Sequence, residues 1–362
     1  MNPPSSPPPD ARGGACADPR RTLVRQWLAQ RPAGLELLPD TLRPASADAS
    51  FRRYFRVDSA TLGGSLIVMD APPDKEDVGR FARIATLLRE GGLSVPRVLA
   101  GDIDQGLLLL GDLGQTTYLD ALLRARQAGE HAACDSWMRD ALHALVRLQG
   151  LRAQLPAYDR QRLLAEMDLF PQWYVQRHLG AELAAGESQG LQQVFEVLLG
   201  CALAQPVVCV HRDYHSRNLM LLQPGQELGN PGILDFQDAV LGPITYDLVS
   251  LLRDAYIAWP EEQQIDWAVR YWEAARGAGL PVDADFGQFY RDFEFMGLQR
   301  QLKVLGIFAR LHHRDGKAQY LGDLPQVLAY ASAVAARYRE FAPLRRLLER
   351  LQGVQVRHGY TF

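Results

Sequence analysis

Side chains able to do chemistry concentrate in one part of this chain. Residues 207–221 read VVCVHRDYHSRNLML, and residues 232–248 read GILDFQDAVLGPITYDL. The apolar run 207–210 reads as a short strand delivering a charged loop at its end, and the apolar pair Ile233 and Leu234 delivers Asp235 in the same manner. Asp213, Asn218 and Asp235 are thus placed on loops leaving neighbouring strands. Two carboxylates and an amide suit phosphoryl transfer from a nucleotide. Asp213 would orient and deprotonate an acceptor hydroxyl, while Asn218 and Asp235 would hold Mg²⁺ against the phosphates of ATP. A solitary Asp in a loop is usually a turn or cap residue; the joint arrangement favours the chemical reading. His211 and His215 have no third partner at metal-ligand spacing, which argues against a zinc role. Asp247 reads as a cap of the helix beginning near Leu248 that also ties the loop down. For Asp238 the reading stays open between the same tying role and an influence on the metal.

The elements that must position these residues follow from composition and periodicity. The 362 residues include 47% hydrophobic and 22% charged side chains with a formal net charge of −3, which excludes a disordered or fibrous chain and supplies no global field for nucleic acid or anionic membranes. Residues 1–19 carry six of the 22 prolines and read as a disordered tail without the apolar centre of a secretory signal. The four cysteines form no Cys-x-x-Cys pair, and no apolar run is long enough to span a bilayer, so free thiols and a cytoplasmic location are expected. A helical pattern at Leu23, Val24, Trp27 and Leu28 stops before Pro32. FRRYFRV (51–57) and SLIVMD (65–70), separated by Gly63 and Gly64, read as antiparallel strands. An amphipathic helix is expected at 78–90, followed by strands at 96–100 and 106–110. Beyond the turn GDLG (111–114) the chain is overwhelmingly helical. The fold class is α+β: a small antiparallel-sheet lobe over 20–111 and a larger, mainly helical lobe over 112–362.

The loop pattern H-R-D-x-x-x-x-N and the later D-F-Q resemble kinase signatures. His211, Asp213, His215 and Asn218 match the loop H-G-D-x-H-x-x-N of the aminoglycoside phosphotransferase and choline kinase superfamily, with Arg212 in place of the usual glycine. FRRYFRV, VMDAPP, HRDYHSRNLM, LDFQDAVLGPITYDLVSLLRD and QRQLKVLGIFARLHHRDGK together resemble the bacterial kinases that phosphorylate N-acetylmuramate and N-acetylglucosamine at C1. The resemblance runs from about residue 20 to the end. It implies a bilobal protein-kinase-like fold, ATP bound between the lobes, catalytic roles for Asp213, Asn218 and Asp235 as above, and a loop-bracing role for His211 and His215. It also implies a place in cell-wall (peptidoglycan) recycling, where a nucleotidyltransferase takes up the sugar 1-phosphate. A kinase of another hydroxylated acceptor, such as an aminoglycoside or choline, and a nucleotide-binding scaffold without turnover are the competing readings.

The nucleotide end departs from the protein-kinase pattern. The loop PASADASFRRYF (44–55) has no glycine, and SLIVMD has no lysine where V-A-I-K would carry one. Ser50 and Phe51 belong to this loop and count as nucleotide-contacting candidates. Arg52, Arg53 and Lys75 are candidates for the missing charge, since guanidinium forks suit phosphate. Strand alternation sends Arg52 and Arg53 to opposite faces without saying which meets the nucleotide. Leu110 and its neighbours would meet the adenine edge as the hinge between lobes, and Asp112 either reaches the ribose or acceptor sugar or caps the helix that follows. For the acceptor, Gln299, Lys303 and Arg310 share a helix face with Arg300 beside it, and Arg300 and Lys303 are candidate partners for a sugar carboxylate. Phe170, Trp173 and Tyr174 could floor a sugar ring, and Arg253 and Tyr256 are further candidates.

Overall fold

Asp18 caps the first helix: its side chain accepts the backbone N–H groups of Arg20 and Arg21, and Pro19 takes the first position of helix α1 (Pro19–Ala29), where no N–H is needed. The computed structural model describes residues 18–30, 34–47, 51–223 and 225–353. Of the expected tail, Asp18 and Pro19 therefore belong to a capped helix, and residues 1–17 lie outside the described residues, as do Cys16 and Ser50.

The described residues form two compact units, one reaching to Gly79 and taking in Val98–Asp112, the other made of Arg80–Arg97 and the chain from Leu113 on. The first holds α1 and an antiparallel sheet ordered β1-β2-β3-β5-β4, from strands β1 (Leu37–Ala47), β2 (Arg53–Ser59), β3 (Gly64–Asp70), β4 (Val98–Asp102) and β5 (Leu107–Gly111). Phe55, Val57, Leu66, Val68, Leu107 and Leu109 project from one face and bury against Val24, Trp27 and Leu28 of α1. The last strand starts at Leu107 rather than at Gly106 because Gly106 is a turn residue, with φ +69° and so little room that a Cβ would lie 1.9 Å from the Ala71 carbonyl oxygen.

Alternation decides between the two arginines. Arg53 shares the α1 face with Phe55 and Val57, where its guanidinium reaches Asp70 at 2.6 Å and Asp18 at 2.5 Å. Arg20 of α1 also donates to Asp70, at 2.8 Å through Nε. The strand that lacks a lysine thus ends in a fully buried carboxylate occupied by two arginines. Arg52 lies on the other face, 4.0 Å from Glu76. On that face Arg56 grips Asp112 with 2.5 and 3.0 Å bonds, and Ser65 donates to the same carboxylate at 2.6 Å. Asp112 is therefore an ion-pair partner and not a helix cap; Thr117 caps the next helix by accepting the Asp120 N–H at 3.1 Å.

In the second unit come α2 (Val78–Glu90, from Arg80 on), α3 (Tyr118–Gln127), α4 (His131–Gln149), α5 (Arg160–Met167), a π-helix (Phe170–His178) and α6 (Ala185–Ala204). Short strands β6 (Val207–Val210), β7 (Leu219–Met220), β8 (Gly232–Ile233) and β9 (Val240–Pro243) follow. The chain continues through α7 (Tyr246–Leu252), α8 (Glu261–Gly277), α9 (Phe286–Asp315), α10 (Leu324–Arg337) and α11 (Ala342–Leu351). Where the sequence division at 111 puts helix 78–90 in the first lobe, its packing puts it here. Phe81 meets Phe236 at 4.8 Å between ring centroids, and Arg89 pairs with Glu227 at 2.6 Å. The thirty-residue α9 packs closely on the segment around the π-helix, where a Cβ on Gly306 would lie 2.4 Å from the backbone of Leu169. Among the described residues, no helix is long and apolar enough to cross a membrane, and Cys134, Cys201 and Cys209 are free thiols.

Asp70→Ala removes the acceptor shared by Arg20 and Arg53. It is expected to cost about 2 kcal/mol of stability, the worth of a charged hydrogen-bond set whose donors stay partly solvated, read from the urea unfolding midpoint.

Candidate active site

Strand β6 pairs with β9, Val207 opposite Pro243 through Val210 opposite Val240, and its buried end hands the chain to His211. Three successive backbone N–H groups are then fastened. Asp247 accepts those of His211 at 2.6 Å and Arg212 at 2.9 Å, and the His211 ring nitrogen Nδ1 accepts that of Asp213 at 3.2 Å. The other ring nitrogen, Nε2, donates to the Leu234 carbonyl at 2.9 Å, which assigns the tautomer. Burial lowers the His211 pKa, in keeping with this neutral form. Burial also pushes Asp247 up to about 6. Asp247 thus ties the loop as expected, but it does not cap α7, whose preceding residue is Thr245.

Arg212 sits at φ +80°, in the left-handed region. For a side-chain-bearing residue that conformation costs roughly 1–2 kcal/mol and persists only where the surroundings over-determine it. Its guanidinium lies 2.6 Å from Glu166 and over the Tyr158 ring at 5.4 Å. The loop then closes on itself: His215 N–H donates to the Asp213 carbonyl at 3.0 Å, Asn218 N–H to the His215 carbonyl at 2.9 Å, and Ser216 N–H to Asp254 at 2.9 Å. Burial keeps His215 below the ordinary histidine range, and its ring meets Tyr256 edge-on at 5.4 Å.

Strands β7 and β8 bring the metal candidates together. Leu219 pairs with Ile233, and Leu234 N–H donates to the Asn218 carbonyl at 2.9 Å, so Asn218 and Asp235 are adjacent. The Asn218 side-chain nitrogen donates to the Asp213 carbonyl at 3.0 Å, which turns its oxygen the other way. Asp235 stands at φ +59°, and Gln237 donates to its Oδ1 at 2.8 Å and to Asp238 at 3.5 Å. Among the described residues no cluster of three His, Cys, Asp or Glu side chains could hold a metal by itself. An Asp carboxylate and an Asn carbonyl oxygen fit Mg²⁺, which takes hard oxygens in small number from protein and the rest from phosphate and water.

Around Asp213 the electrostatics are set by buried cations. Burial alone would raise its pKa, but the positive charges of Lys303, Arg300 and Arg212 outweigh it and hold the carboxyl below its ordinary range. Lys303, expected at the acceptor, is tied internally, donating to the Tyr246 hydroxyl at 2.8 Å and pairing with Glu166 at 3.1 Å. Arg253 likewise belongs to a buried ion pair with Glu294 at 3.0 Å, under the Phe293 ring. Phe170 and Tyr174 stack in the core at 5.6 Å, while Trp173 is half-buried. Arg300 is different: Nε and Nη1 of its guanidinium are buried without a hydrogen-bond partner. In the first unit, Phe51 is exposed with Lys75 5.8 Å from its ring centroid, and Leu110 is buried in β5. Sequence reasoning missed Glu166 and Asp254. Glu166 falls on the apolar stripe Leu163, Met167 and Phe170 of its own segment, and a charge at such a position signals a buried partner.

Comparison with solved structures defines the class. The chain superposes on a choline/ethanolamine kinase family protein from Mesorhizobium loti with a TM-score of 0.58 at 17% identity, covering 91% of this chain and 99% of the other. An aminoglycoside 2'-phosphotransferase-IIIa solved with GDP gives 0.58 at 14% identity, covering 88% and 99%. The fold is that of the protein-kinase-like phosphotransferases. The chain belongs to the APH phosphotransferase enzyme family, whose sequence model matches residues 41–286. Among its relatives, the N-acetylmuramate/N-acetylglucosamine kinase of Neisseria meningitidis serogroup B is 49% identical, over 88% of this chain and 93% of its own length. The kinase of the same name from Pseudomonas aeruginosa is 47% identical, over 89% and 92%.

Asp247→Ala leaves two buried N–H groups without an acceptor. The expected result is a loss of about 3 kcal/mol in unfolding free energy together with at least tenfold slower phosphotransfer, measured by denaturant titration and ADP release.

Proposed function

We propose that this protein is an ATP- and Mg²⁺-dependent kinase that phosphorylates the anomeric hydroxyl of N-acetylmuramate or N-acetylglucosamine. The observation that carries the reading is the gathering of Asp213, Asn218 and Asp235 on one braced pair of loops, in a chain so similar to relatives bearing that name. Asp213 orients the acceptor hydroxyl. Its depressed pKa keeps it ionised at neutral pH and makes it a weak base, suited to taking the proton late in transfer. The anomeric hydroxyl is the most acidic of a reducing sugar and the one best matched to such a base. Asn218 and Asp235 would hold Mg²⁺, which when bound neutralises charge on the phosphates. Of the two candidate arginines, Arg53 is committed to Asp18 and Asp70, which removes it as a partner for nucleotide phosphate.

The acceptor assignment rests on Arg300. N-acetylmuramate differs from N-acetylglucosamine by a lactyl ether that ends in a carboxylate. A buried guanidinium with two unpartnered nitrogens offers that carboxylate a charge-assisted bond and repels cationic acceptors of the aminoglycoside or choline kind. The product, a sugar 1-phosphate, is of the class that nucleotidyltransferases consume.

Incubation of the purified protein with ATP, Mg²⁺ and each acceptor should release ADP with the two aminosugars and abolish the sugar's reducing end. Turnover on aminoglycosides or choline alone would overturn the reading, and no turnover on any acceptor would favour a nucleotide-binding scaffold. Asp213→Asn is expected to lower kcat by about 10³-fold or more, with nucleotide affinity by calorimetry changed less than threefold. For Arg300→Met, the ratio of kcat/KM for N-acetylmuramate to that for N-acetylglucosamine should fall at least tenfold; an unchanged ratio would remove Arg300 from carboxylate recognition.

A further inference from the structure

Five side chains from separate segments meet in one buried cluster beside the catalytic loop. Glu166 of α5 takes the Arg212 guanidinium at 2.6 Å and the Lys303 ammonium at 3.1 Å on one carboxylate oxygen, and the Tyr158 hydroxyl on the other. Lys303 of α9 donates onward to the hydroxyl of Tyr246 in α7, and the Tyr158 and Tyr246 rings meet edge-on at 5.1 Å. The cluster holds one negative and two positive charges, and the ionised Asp213 beside it completes the balance. Neither Glu166 nor the tyrosines touch the loop's three backbone N–H groups, so the cluster acts through Arg212 alone on the backbone and through charge on Asp213.

We propose that Glu166 is a positioning residue for phosphoryl transfer. Its part-buried carboxylate clamps Arg212 in the left-handed conformation that aims Asp213, so that an ion pair does here what the conformational freedom of a glycine would do. The inference rests on the proposed role of Asp213. A left-handed Arg costs free energy that its N–H bond to Asp247 alone need not offset, because a glycine at this position would keep that same N–H bond without the cost. The side-chain anchor is the feature an arginine adds. Glu166 also sets the local charge: without it, two buried cations would face Asp213 unopposed.

The test is a double-mutant cycle between positions 166 and 212. Glu166→Gln keeps the shape and loses the charge that holds Arg212, so kcat should fall at least thirtyfold while KM for ATP moves less than threefold. Adding Arg212→Gly removes the strain and returns the cluster to a single net positive charge, so the double variant Glu166→Gln with Arg212→Gly should recover at least tenfold of that loss. Losses that simply multiply, or a double variant as slow as Glu166→Gln, would show that Glu166 only packs α5 and would overturn the proposal. If Glu166→Gln does not fold, Glu166→Asp, which keeps the charge and shortens its reach, is compared with and without Arg212→Gly under the same expectation. If the wild type turns over no acceptor, the functional reading has failed on its own. The clamp is then read from amide exchange of residues 211–215, which should speed up in Glu166→Gln and slow again in the double variant; no change would overturn it.

Discussion

The backbone at His211, Arg212 and Asp213 is the constraint on which the rest of the site depends. A buried loop cannot leave its N–H groups unpaired, and here each of the three has an acceptor, two on Asp247 and one on the His211 ring. Because the His211 ring also donates to Leu234, the same imidazole links the loop bearing Asp213 to the strand that delivers Asp235. Asn218 closes the arrangement by donating to the Asp213 carbonyl while its own carbonyl accepts from Leu234. The three candidate side chains are therefore spaced by hydrogen bonds that fasten the main chain, most of them made by the side chains of Asp247, His211 and Asn218.

Electrostatics follow from that frame. A chain with a net charge of only −3 has no long-range field to draw in a nucleotide, so charge is handled locally. Around Asp213 the cations Lys303, Arg212 and Arg300 outnumber the acid Glu166, which holds the Asp213 carboxyl below its ordinary range. Cations that looked available for a ligand are mostly consumed by this arrangement or by internal pairs such as Arg253 with Glu294 and Arg53 with Asp70. A charge on an amphipathic helix reads the same from sequence whether it faces solvent, a ligand or a buried acid; only its neighbours in space distinguish the cases.

Much of the fold was legible because it rests on local periodicity. Helix 78–90 and strand 207–210 fall where apolar spacing puts them, and Asp213, Asn218 and Asp235 stand out as candidates because they follow short apolar runs. Other features lay beyond reach. That Asp18 caps a helix inside the apparent tail depends on Pro19 and on the later partner Arg53, and that helix 78–90 packs with the second unit depends on Phe236, more than a hundred residues away.

The sequence by itself determined the chemistry: which residues could bind metal, which could serve as base, and that strands would present them. These are properties of residue type and short spacing, which the backbone enforces locally. The tertiary structure alone decided which charges remain for a ligand and how Asp213 is aimed. Arg53 is claimed by Asp70, Lys303 and Arg212 by Glu166, and Arg300 keeps two unpartnered nitrogens, because those outcomes depend on burial and on partners brought together across dozens of residues of chain.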